Sequence, residues 1–250
     1  MTIKYGFIGL GHLGQKMAGC LLRGGLPLTV FDIDKAAMAP LVAKGASAAT
    51  SAAALAAEVD AFITCLPSPV VSEKILSEIL PHCRPKTSWI ETSTLDRDSI
   101  MRLAKMAATH GVETLECPVT GGVHLAEVGK VTVLVGGPRD LFKRHEAALR
   151  LIGSRVFLMG DVGAAAIIKV ITNMLAFINL VGCAEALMLA KRGGLDLATA
   201  YEAIRASSGN SFVHETEGQL ILNGSYDIDF TMDLALKDLG FALGFGREFG

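Results

Sequence analysis

The 250-residue sequence is poor in aromatic residues, which make up 6% of it, and it has neither an excess of basic charge nor paired cysteines. Its 23 Lys and Arg face 25 Asp and Glu, so no basic excess is present to neutralise phosphates, which argues against a dedicated nucleic-acid binder. The five cysteines are scattered without a C-x-x-C pair, which fits reduced thiols in a cytoplasmic protein. The six histidines form no metal-binding spacing, and we predict no metal site.

The sequence also lacks a signal peptide pattern and a long charge-free apolar run. Residues 3–10 are apolar, but they follow no basic region and run into glycines, which is typical of a strand. Residues 164–190 are the most apolar stretch. The longest charge-free run within it, residues 170–184, has 15 residues, fewer than the roughly 20 that span a bilayer. We therefore expect a buried helix and no membrane role.

The sequence does contain many apolar residues, which alternate between strand-like and helix-like segments in its N-terminal part. The hydrophobic class makes up 51% of the chain, and much of it is alanine, which favours close packing of helices on a sheet. Apolar runs typical of strands buried on both faces lie at residues 5–10, 28–32, 61–66, 88–91, 113–117, 132–135 and 155–158. Helical segments lie at residues 12–24, 35–44, 70–80, 96–110 and 139–151. The alternation predicts an α/β fold with a doubly wound, mostly parallel sheet.

The pattern changes after Gly163, beyond which we find no comparable strand signal. Helical segments are predicted at residues 164–192, 196–207, 213–223 and 231–246. We therefore predict two domains. Residues 1–162 form the α/β domain, and residues 163–250 form a smaller all-helical domain for substrate binding and dimerisation.

The stretch Gly9-Leu10-Gly11-His12-Leu13-Gly14 is a G-x-G-x-x-G motif between the first strand and a helix. Its glycines allow a tight turn, the approach of a pyrophosphate to the backbone, and close packing of helix on strand. The helix N-terminus offers N–H groups and a positive dipole end to phosphates. Asp32 ends the second predicted strand, where its carboxylate can accept hydrogen bonds from ribose hydroxyls and would repel a 2′-phosphate. Together these features predict a Rossmann-type site that binds NAD in preference to NADP.

Lys169 interrupts an apolar run of the long helix, between Ile168 and Val170. Burial of an unpartnered ammonium is costly, so such lysines are paired or functional. Asn173 lies four residues on and leaves the same helix face. Burial lowers the pKa of a lysine toward neutrality, where the amine can act as general acid and base. The alternative is a lysine that snorkels at an exposed edge of the helix.

A third candidate is the turn Cys117-Pro118-Val119-Thr120-Gly121-Gly122, which joins a strand to a helical segment. Small residues and N–H groups at such a junction can hold an anion, for example a substrate carboxylate. Many turns between a strand and a helix share this composition, so the turn alone does not define a site.

These motifs together resemble the β-hydroxyacid dehydrogenase family, the group of 3-hydroxyisobutyrate dehydrogenase and tartronate semialdehyde reductase. The resemblance covers nearly the whole chain. Its motifs occur in the family's order at residues 6–14, 66–67, 91–94, 117–122, 160–173 and 237–239. The resemblance implies an NAD-dependent oxidoreductase that transfers a hydride between nicotinamide and a small 3-hydroxy acid.

The resemblance also implies roles for single residues. Lys169 stands at the family's catalytic lysine and Asn173 at its substrate-orienting asparagine. The segment that holds the substrate carboxylate corresponds to Thr120, Gly121 and Gly122. The glycine motif and the resemblance together predict cofactor contacts at Gly9, Gly11, His12, Leu13, Gly14, Asp32, Leu66, Pro67, Thr94 and Lys237.

The sequence departs from the family mainly on the substrate side. Glu116-Cys117-Pro118 replaces a commoner Asp-Ala-Pro, Thr172 replaces the first of two asparagines, and Phe212 stands where tryptophan is usual. These departures leave the substrate open between 3-hydroxyisobutyrate-like and tartronate semialdehyde-like acids. A catalytically silent NAD-binding sensor or scaffold on the same fold is the alternative, although such proteins typically lose the lysine that is retained here.

Family members are usually longer, so the helical domain is predicted to be short at its C-terminus. Either the chain is truncated there, or a partner subunit covers the apolar surface that further helices would bury. Exposed apolar faces expected on the long helix predict a homodimer or homotetramer.

Overall fold

A computed structural model describes residues 2–226 and 230–250, and the chain divides into two compact units, Met1–Lys169 and Val170–Gly250. The strands of the first unit are β1 (Tyr5–Ile8), β2 (Leu28–Phe31), β3 (Ser47–Ala48), β4 (Ala61–Thr64), β5 (Ser88–Glu91), β6 (Glu113–Glu116), β7 (Val119–Thr120), β8 (Val131–Gly136) and β9 (Gly153–Gly160). Its helices are α1 (His12–Arg23), α2 (Lys35–Val42), α3 (Ala52–Glu58), α4 (Pro69–Ile79), α5 (Arg97–Thr109), α6 (Gly122–Glu127) and α7 (Arg139–Ile152). The long helix α8 (Ala164–Arg192) runs from the first unit into the second.

All these strands form one sheet in the order β3-β2-β1-β4-β5-β6-β8-β7, with β9 paired to β8. The strands from β3 to β6 in this order are parallel to their neighbours. Only β8 is antiparallel to its neighbours β6 and β7, among the described pairs. The predicted fold class, a mostly parallel α/β sheet followed by helices, is confirmed.

Two buried apolar clusters, one on each face, hold helices against the sheet. The first cluster joins the sheet to α1, α2, α6 and α7, and the second joins it to α3, α4 and α5. Phe7 lies in the first cluster and its neighbour Ile8 in the second, because successive side chains of a strand point to opposite faces. This double burial explains why β1 and β4 are buried at every position.

All the predicted strands and helices of the first unit are present, but several short elements were not predicted, among them β3, β7, α3 and α6. Strands β3 and β7 have two residues each, which is too short for a visible alternation of polar and apolar residues. Helix α3 has seven residues, most of them alanine, and α6 has six, the first of which belongs to a glycine-rich turn. Short elements of this kind depend on tertiary packing rather than on local pattern.

The two compact units divide inside α8, between Lys169 and Val170, whereas the loss of strand signal in the sequence predicts a domain boundary at residue 162. The first turns of α8 pack with the sheet, because Ala166 belongs to the same buried cluster as α3 to α5. The glycine-rich junction at residues 160–163 therefore marks the end of the strands. It does not mark the end of the contacts that the chain makes with the sheet, because the first turns of α8 still pack there.

The second unit contains the rest of α8 together with α9 (Leu197–Arg205), α10 (Phe212–Asn223) and α11 (Met232–Phe249). No strand occurs among its described residues. Its buried apolar cluster is small and consists of Cys183, Leu187 and Tyr201, against which two half-buried side chains pack. The ring of His214 stacks on Tyr201 at a centroid distance of 4.5 Å.

Helix α8 is much more exposed than expected. Only 28% of its most apolar window is buried, so the expectation of a buried helix is wrong for the single chain, whereas the exposed apolar face that was also expected on this helix is present. By length and composition this one helix could cross a membrane, although a single such helix is weak support for that role. The large apolar side chains that α8 exposes are Ile171, Leu175, Ile178, Val181, Met188 and Leu189.

Candidate functional site

Most of the predicted cofactor residues follow the carboxyl ends of parallel strands, at one edge of the sheet. The glycine motif follows β1 and Asp32 follows β2, while residues 65–67 and 92–94 follow β4 and β5. Strand β1 lies between β2 and β4, and the chain winds outward from it in both directions. Ligands of doubly wound sheets bind at such a switch point, outside the carboxyl ends of the strands. The topology therefore brings these predicted residues to the edge where a dinucleotide is expected.

The glycine motif packs closely at one position and leaves open space at another. A Cβ on Gly14 would lie 2.0 Å from the carbonyl oxygen of Gly9, so only glycine lets α1 start so close to the loop. A Cβ on Gly11 would meet no described atom within 4 Å, so this position opens on free space beside the helix N-terminus. Gly11 caps α1 without a side chain, and His12 and Leu13 begin the first turn, which holds no acidic residue. The positive end of α1 thus fits a bound phosphate group.

Asp32 has a structural role that its predicted role did not include. Its Oδ2 accepts a hydrogen bond from the backbone N–H of Leu10 at 2.6 Å, and its Oδ1 accepts one from Asp34 N–H at 2.8 Å. The carboxylate therefore fixes the glycine motif to the end of β2. A carboxylate has about four lone-pair sites, so acceptor capacity remains for ribose hydroxyls.

A buried hydrogen-bond network ties the loops after β4 and β5 together. The N–H of Leu66 donates to the hydroxyl of Ser93 at 2.7 Å, and that hydroxyl donates to Glu91 Oε1 at 2.5 Å. Burial raises the pKa of Glu91, while the hydrogen bonds from Ser93 act in the opposite direction. Half-buried Thr94 follows directly, and Pro67 is next to Leu66. The motif at residues 91–94 was noted in the sequence, but no role had been predicted for Glu91 or Ser93.

The turn predicted to hold a substrate carboxylate has backbone angles that favour glycine. Thr120 ends β7 and pairs with Thr132 of β8. Gly121 and Gly122 have φ angles of +125° and +81°, which residues with a Cβ rarely adopt. The two glycines therefore give the chain a sharp change of direction between β7 and α6. Cys117 at the start of the turn is fully buried, and this burial raises the pKa of its thiol.

Glu116, the last residue of β6, is a buried carboxylate that sequence analysis noted only as a departure from the family. Its Oε2 accepts hydrogen bonds from the N–H groups of Gly163 at 2.7 Å and Ala165 at 3.3 Å, at the start of α8. Burial raises the pKa of Glu116 to about 7, although the backbone N–H groups of α8 act against that rise. The neighbouring Glu91 carboxylate, opposite Glu116 in the sheet register, raises it further.

Lys169 is buried in α8, with 7% of its surface exposed. This burial contradicts the alternative in which the ammonium snorkels at an exposed edge of the helix. Asn173 lies one turn later on the same helix and is also buried. The predicted roles of both residues in catalysis stay predictions.

In the second unit, Asp238 joins two of the predicted site residues. Its Oδ2 accepts a hydrogen bond from Asn173 Nδ2 at 2.6 Å, and its Oδ1 accepts one from Lys237 Nζ at 2.7 Å. The ammonium of Lys237 also lies over the ring of Phe241, 4.8 Å from its centroid. Asp238 is buried, so it can hold both neighbours in fixed positions. The sequence shows Asp238 only as part of the motif at residues 237–239, and its two hydrogen bonds were not predicted.

No group of three or more His, Cys, Asp or Glu side chains that could hold a metal ion occurs within residues 2–226 and 230–250. The polar groups of the candidate site are instead carboxylates, hydroxyls, amides and one buried lysine. Such a set can orient an organic substrate and move a proton.

Comparisons with known proteins agree with this arrangement. Residues 4–160 match the family model of the NAD binding domain of 6-phosphogluconate dehydrogenase. Residues 163–250 match the model of the NAD-binding region of NADP-dependent 3-hydroxyisobutyrate dehydrogenase. Together the two models cover most of the chain.

Individual relatives extend over nearly the whole sequence. The chain is 36% identical to 2-(hydroxymethyl)glutarate dehydrogenase of Eubacterium barkeri, over 99% of this chain and 83% of that protein. It is 34% identical to 3-hydroxyisobutyrate dehydrogenase of Pseudomonas aeruginosa, over 95% and 83%. The solved structure of Mycobacterium tuberculosis 3-hydroxyisobutyrate dehydrogenase with L-serine has a TM-score of 0.90 at 28% identity, covering 100% of this chain and 88% of that one. The chain therefore belongs to the β-hydroxyacid dehydrogenase family of NAD-dependent oxidoreductases.

Proposed function

We propose that this protein oxidises a small 3-hydroxy acid with NAD and catalyses the reverse reduction of the corresponding semialdehyde. The observation that carries the proposal is the buried ammonium of Lys169, on a helix whose start is hydrogen-bonded to the strand end preceding the turn at residues 117–122. Relatives named as dehydrogenases of 3-hydroxyisobutyrate and 2-(hydroxymethyl)glutarate support the substrate class. The similar Mycobacterium tuberculosis enzyme was solved with L-serine, which is itself a 3-hydroxy acid.

In the proposed mechanism, the turn of Thr120, Gly121 and Gly122 binds the substrate carboxylate and so presents the hydroxyl-bearing carbon. Neutral Lys169 accepts the proton of that hydroxyl, and in the reverse direction its ammonium donates a proton to the carbonyl oxygen. The ammonium also stabilises negative charge that develops on the substrate oxygen. Asn173 orients the same oxygen, and Asp238 fixes the amide of Asn173. Bound NAD supplies a hydride acceptor at its nicotinamide ring.

We propose that the cofactor is held by the glycine motif, Asp32, and the loops containing Leu66, Pro67 and Thr94, and the family resemblance adds Lys237 as a further cofactor residue. NAD is preferred over NADP in this proposal. The support is the carboxylate of Asp32, which accepts hydrogen bonds from ribose hydroxyls and repels a 2′-phosphate. One of the two matching family models describes an NADP-dependent enzyme, so the preference has to be measured with both cofactors.

Replacement of Lys169 by Ala should lower kcat by about 10²- to 10⁴-fold, because it removes the general acid and base. The dissociation constant for NAD should stay within about twofold of the wild-type value, since the predicted cofactor contacts are untouched. Steady-state NADH formation gives kcat, and titration of protein fluorescence with NAD gives the dissociation constant. Lys169→Met is the companion variant, because it keeps the apolar stem of the buried side chain.

The matched control is Lys191→Ala, at the exposed far end of the same helix, which should behave like the wild type. Wild-type turnover in both Lys169 variants would remove this lysine from the mechanism. Variants that fold and bind NAD but lose turnover would agree with it.

Replacement of Gly11 by Ala tests whether the glycine motif holds the cofactor. The added Cβ meets no described protein atom within 4 Å, so thermal stability should change little. A bound pyrophosphate is expected in that space, so NAD affinity should fall by at least about tenfold. Gly19→Ala on the same helix is the control, since its Cβ would meet only ordinary contacts. Unchanged NAD affinity in Gly11→Ala would place the pyrophosphate elsewhere.

We also propose that the protein works as a homo-oligomer in the cytoplasm, with the exposed apolar side of α8 as the contact. Ile171, Leu175 and Ile178 follow at helical spacing, and Leu189 lies on the same face farther along, so α8 carries an exposed apolar stripe that Glu185 interrupts. An exposed apolar stripe of this kind is typical of contacts between copies of one chain. The five cysteines, all free, support a reducing compartment.

A double substitution, Leu175→Glu with Ile178→Glu, should convert the oligomer to monomers, because it places charges in an apolar contact. Sedimentation velocity measures the change. Val42→Glu, an exposed apolar position on α2, is the control and should keep the wild-type size. A wild-type protein that sediments as a monomer, or one that binds lipid vesicles instead, would refute the proposed contact.

A further inference from the structure

We propose that Glu116 is a positioning residue for Lys169: its carboxylate holds the start of α8 against the end of β6. Because β6 leads into the turn at residues 117–122, this contact would set the lysine in register with the segment proposed to bind the substrate carboxylate. The inference rests on the proposed role of Lys169 as general acid and base.

Glu116 contacts α8 about one helical turn before the lysine. One oxygen, Oε2, accepts hydrogen bonds from both Gly163 N–H and Ala165 N–H. Lys169 follows Ala165 by four residues, so the two lie on the same face of α8 about one turn apart. Ala165 is completely buried, so the first turn of α8 has little freedom to shift by another route. A movement of the Glu116 carboxylate would therefore carry the lysine with it.

The neighbouring strand leaves space for this carboxylate. Gly136 of β8 pairs with Glu116 in antiparallel register. A Cβ on Gly136 would lie 2.5 Å from Glu116 Oε2, so a larger residue there would displace the carboxylate. The Glu116 side chain therefore occupies space that a side chain at position 136 would fill.

The site also suits a buried acid. Burial of a carboxylate is costly unless hydrogen bonds compensate, and the N–H groups at the start of α8 supply them. The positive end of the helix dipole adds to this stabilisation. The other neighbours of the Glu116 carboxylate are Glu91 on β5 and Cys117, the next residue in the chain. Neither of them carries a positive charge. Among the contacts described for Glu116, the helix start is thus the favourable partner.

Two conservative variants separate the reach of the side chain from its charge. Glu116→Gln keeps the length and one acceptor oxygen but removes the charge, whereas Glu116→Asp keeps the charge but shortens the reach by one methylene. If position is what matters, Glu116→Asp should lower kcat about 10- to 100-fold while KM for NAD stays within about twofold. Glu116→Gln should keep kcat within about threefold of the wild type. Glu113→Gln, at the outer end of the same strand, is the control.

Hydrogen exchange at residues 163–165 provides a readout that does not depend on turnover. These amides should exchange faster in Glu116→Asp than in the wild type, and at the wild-type rate in Glu113→Gln. Faster exchange without a loss of kcat would overturn the proposal, as would slower turnover in Glu116→Gln than in Glu116→Asp. If Lys169→Ala retains full turnover, the proposed function fails, and the exchange result still shows whether Glu116 holds α8.

Discussion

Parallel hydrogen bonding along β1, β2, β4, β5 and β6 places five carboxyl ends at one edge of the sheet. The predicted cofactor contacts of the first unit are brought together by this constraint. The glycine motif, Asp32 and the loops after β4 and β5 are far apart in sequence, yet each begins where a strand of this set ends. The apolar clusters on both faces keep the strands in place, so the edge is a rigid support for the loops.

Side chains then fix these loops to one another. The carboxylate of Asp32 holds the glycine motif, Ser93 holds the loop that contains Leu66, and Glu116 holds the start of α8. Each contact pairs a backbone N–H with a hydroxyl or carboxylate from a neighbouring segment. Such pairing leaves few backbone groups free to rearrange, which is what a site that must orient a substrate and a cofactor requires. In the second unit, Asp238 has the same function for Asn173 and Lys237.

The sequence contained enough information for the sheet, the long helix and the family, because those depend on local periodicity and on motifs. It did not contain a visible signal for β3 or β7, whose two residues are held only by their neighbours. The hydrogen bonds that Glu91, Glu116 and Asp238 accept were also not predicted. Glu116 and Gly163 are 47 positions apart, and Asn173 and Asp238 are 65 apart. A pairing at such a distance depends on the fold and cannot be derived from spacing. The extent of the exposure of α8 was underestimated for a related reason, since composition cannot show how much of an apolar helix the rest of the chain covers.

Oxidation of 3-hydroxy acids with NAD is the activity that we propose for this chain. The most direct measurement follows NADH absorbance while the purified full chain is offered a panel of 3-hydroxy acids, each paired with its 2-hydroxy isomer, with NAD and separately with NADP. NADH should form from at least one 3-hydroxy acid and not from its isomer, and kcat/KM should be higher with NAD than with NADP. If the protein binds NAD but forms no NADH or NADPH from any of these acids, it does not have the proposed activity, and a catalytically silent NAD-binding protein is favoured.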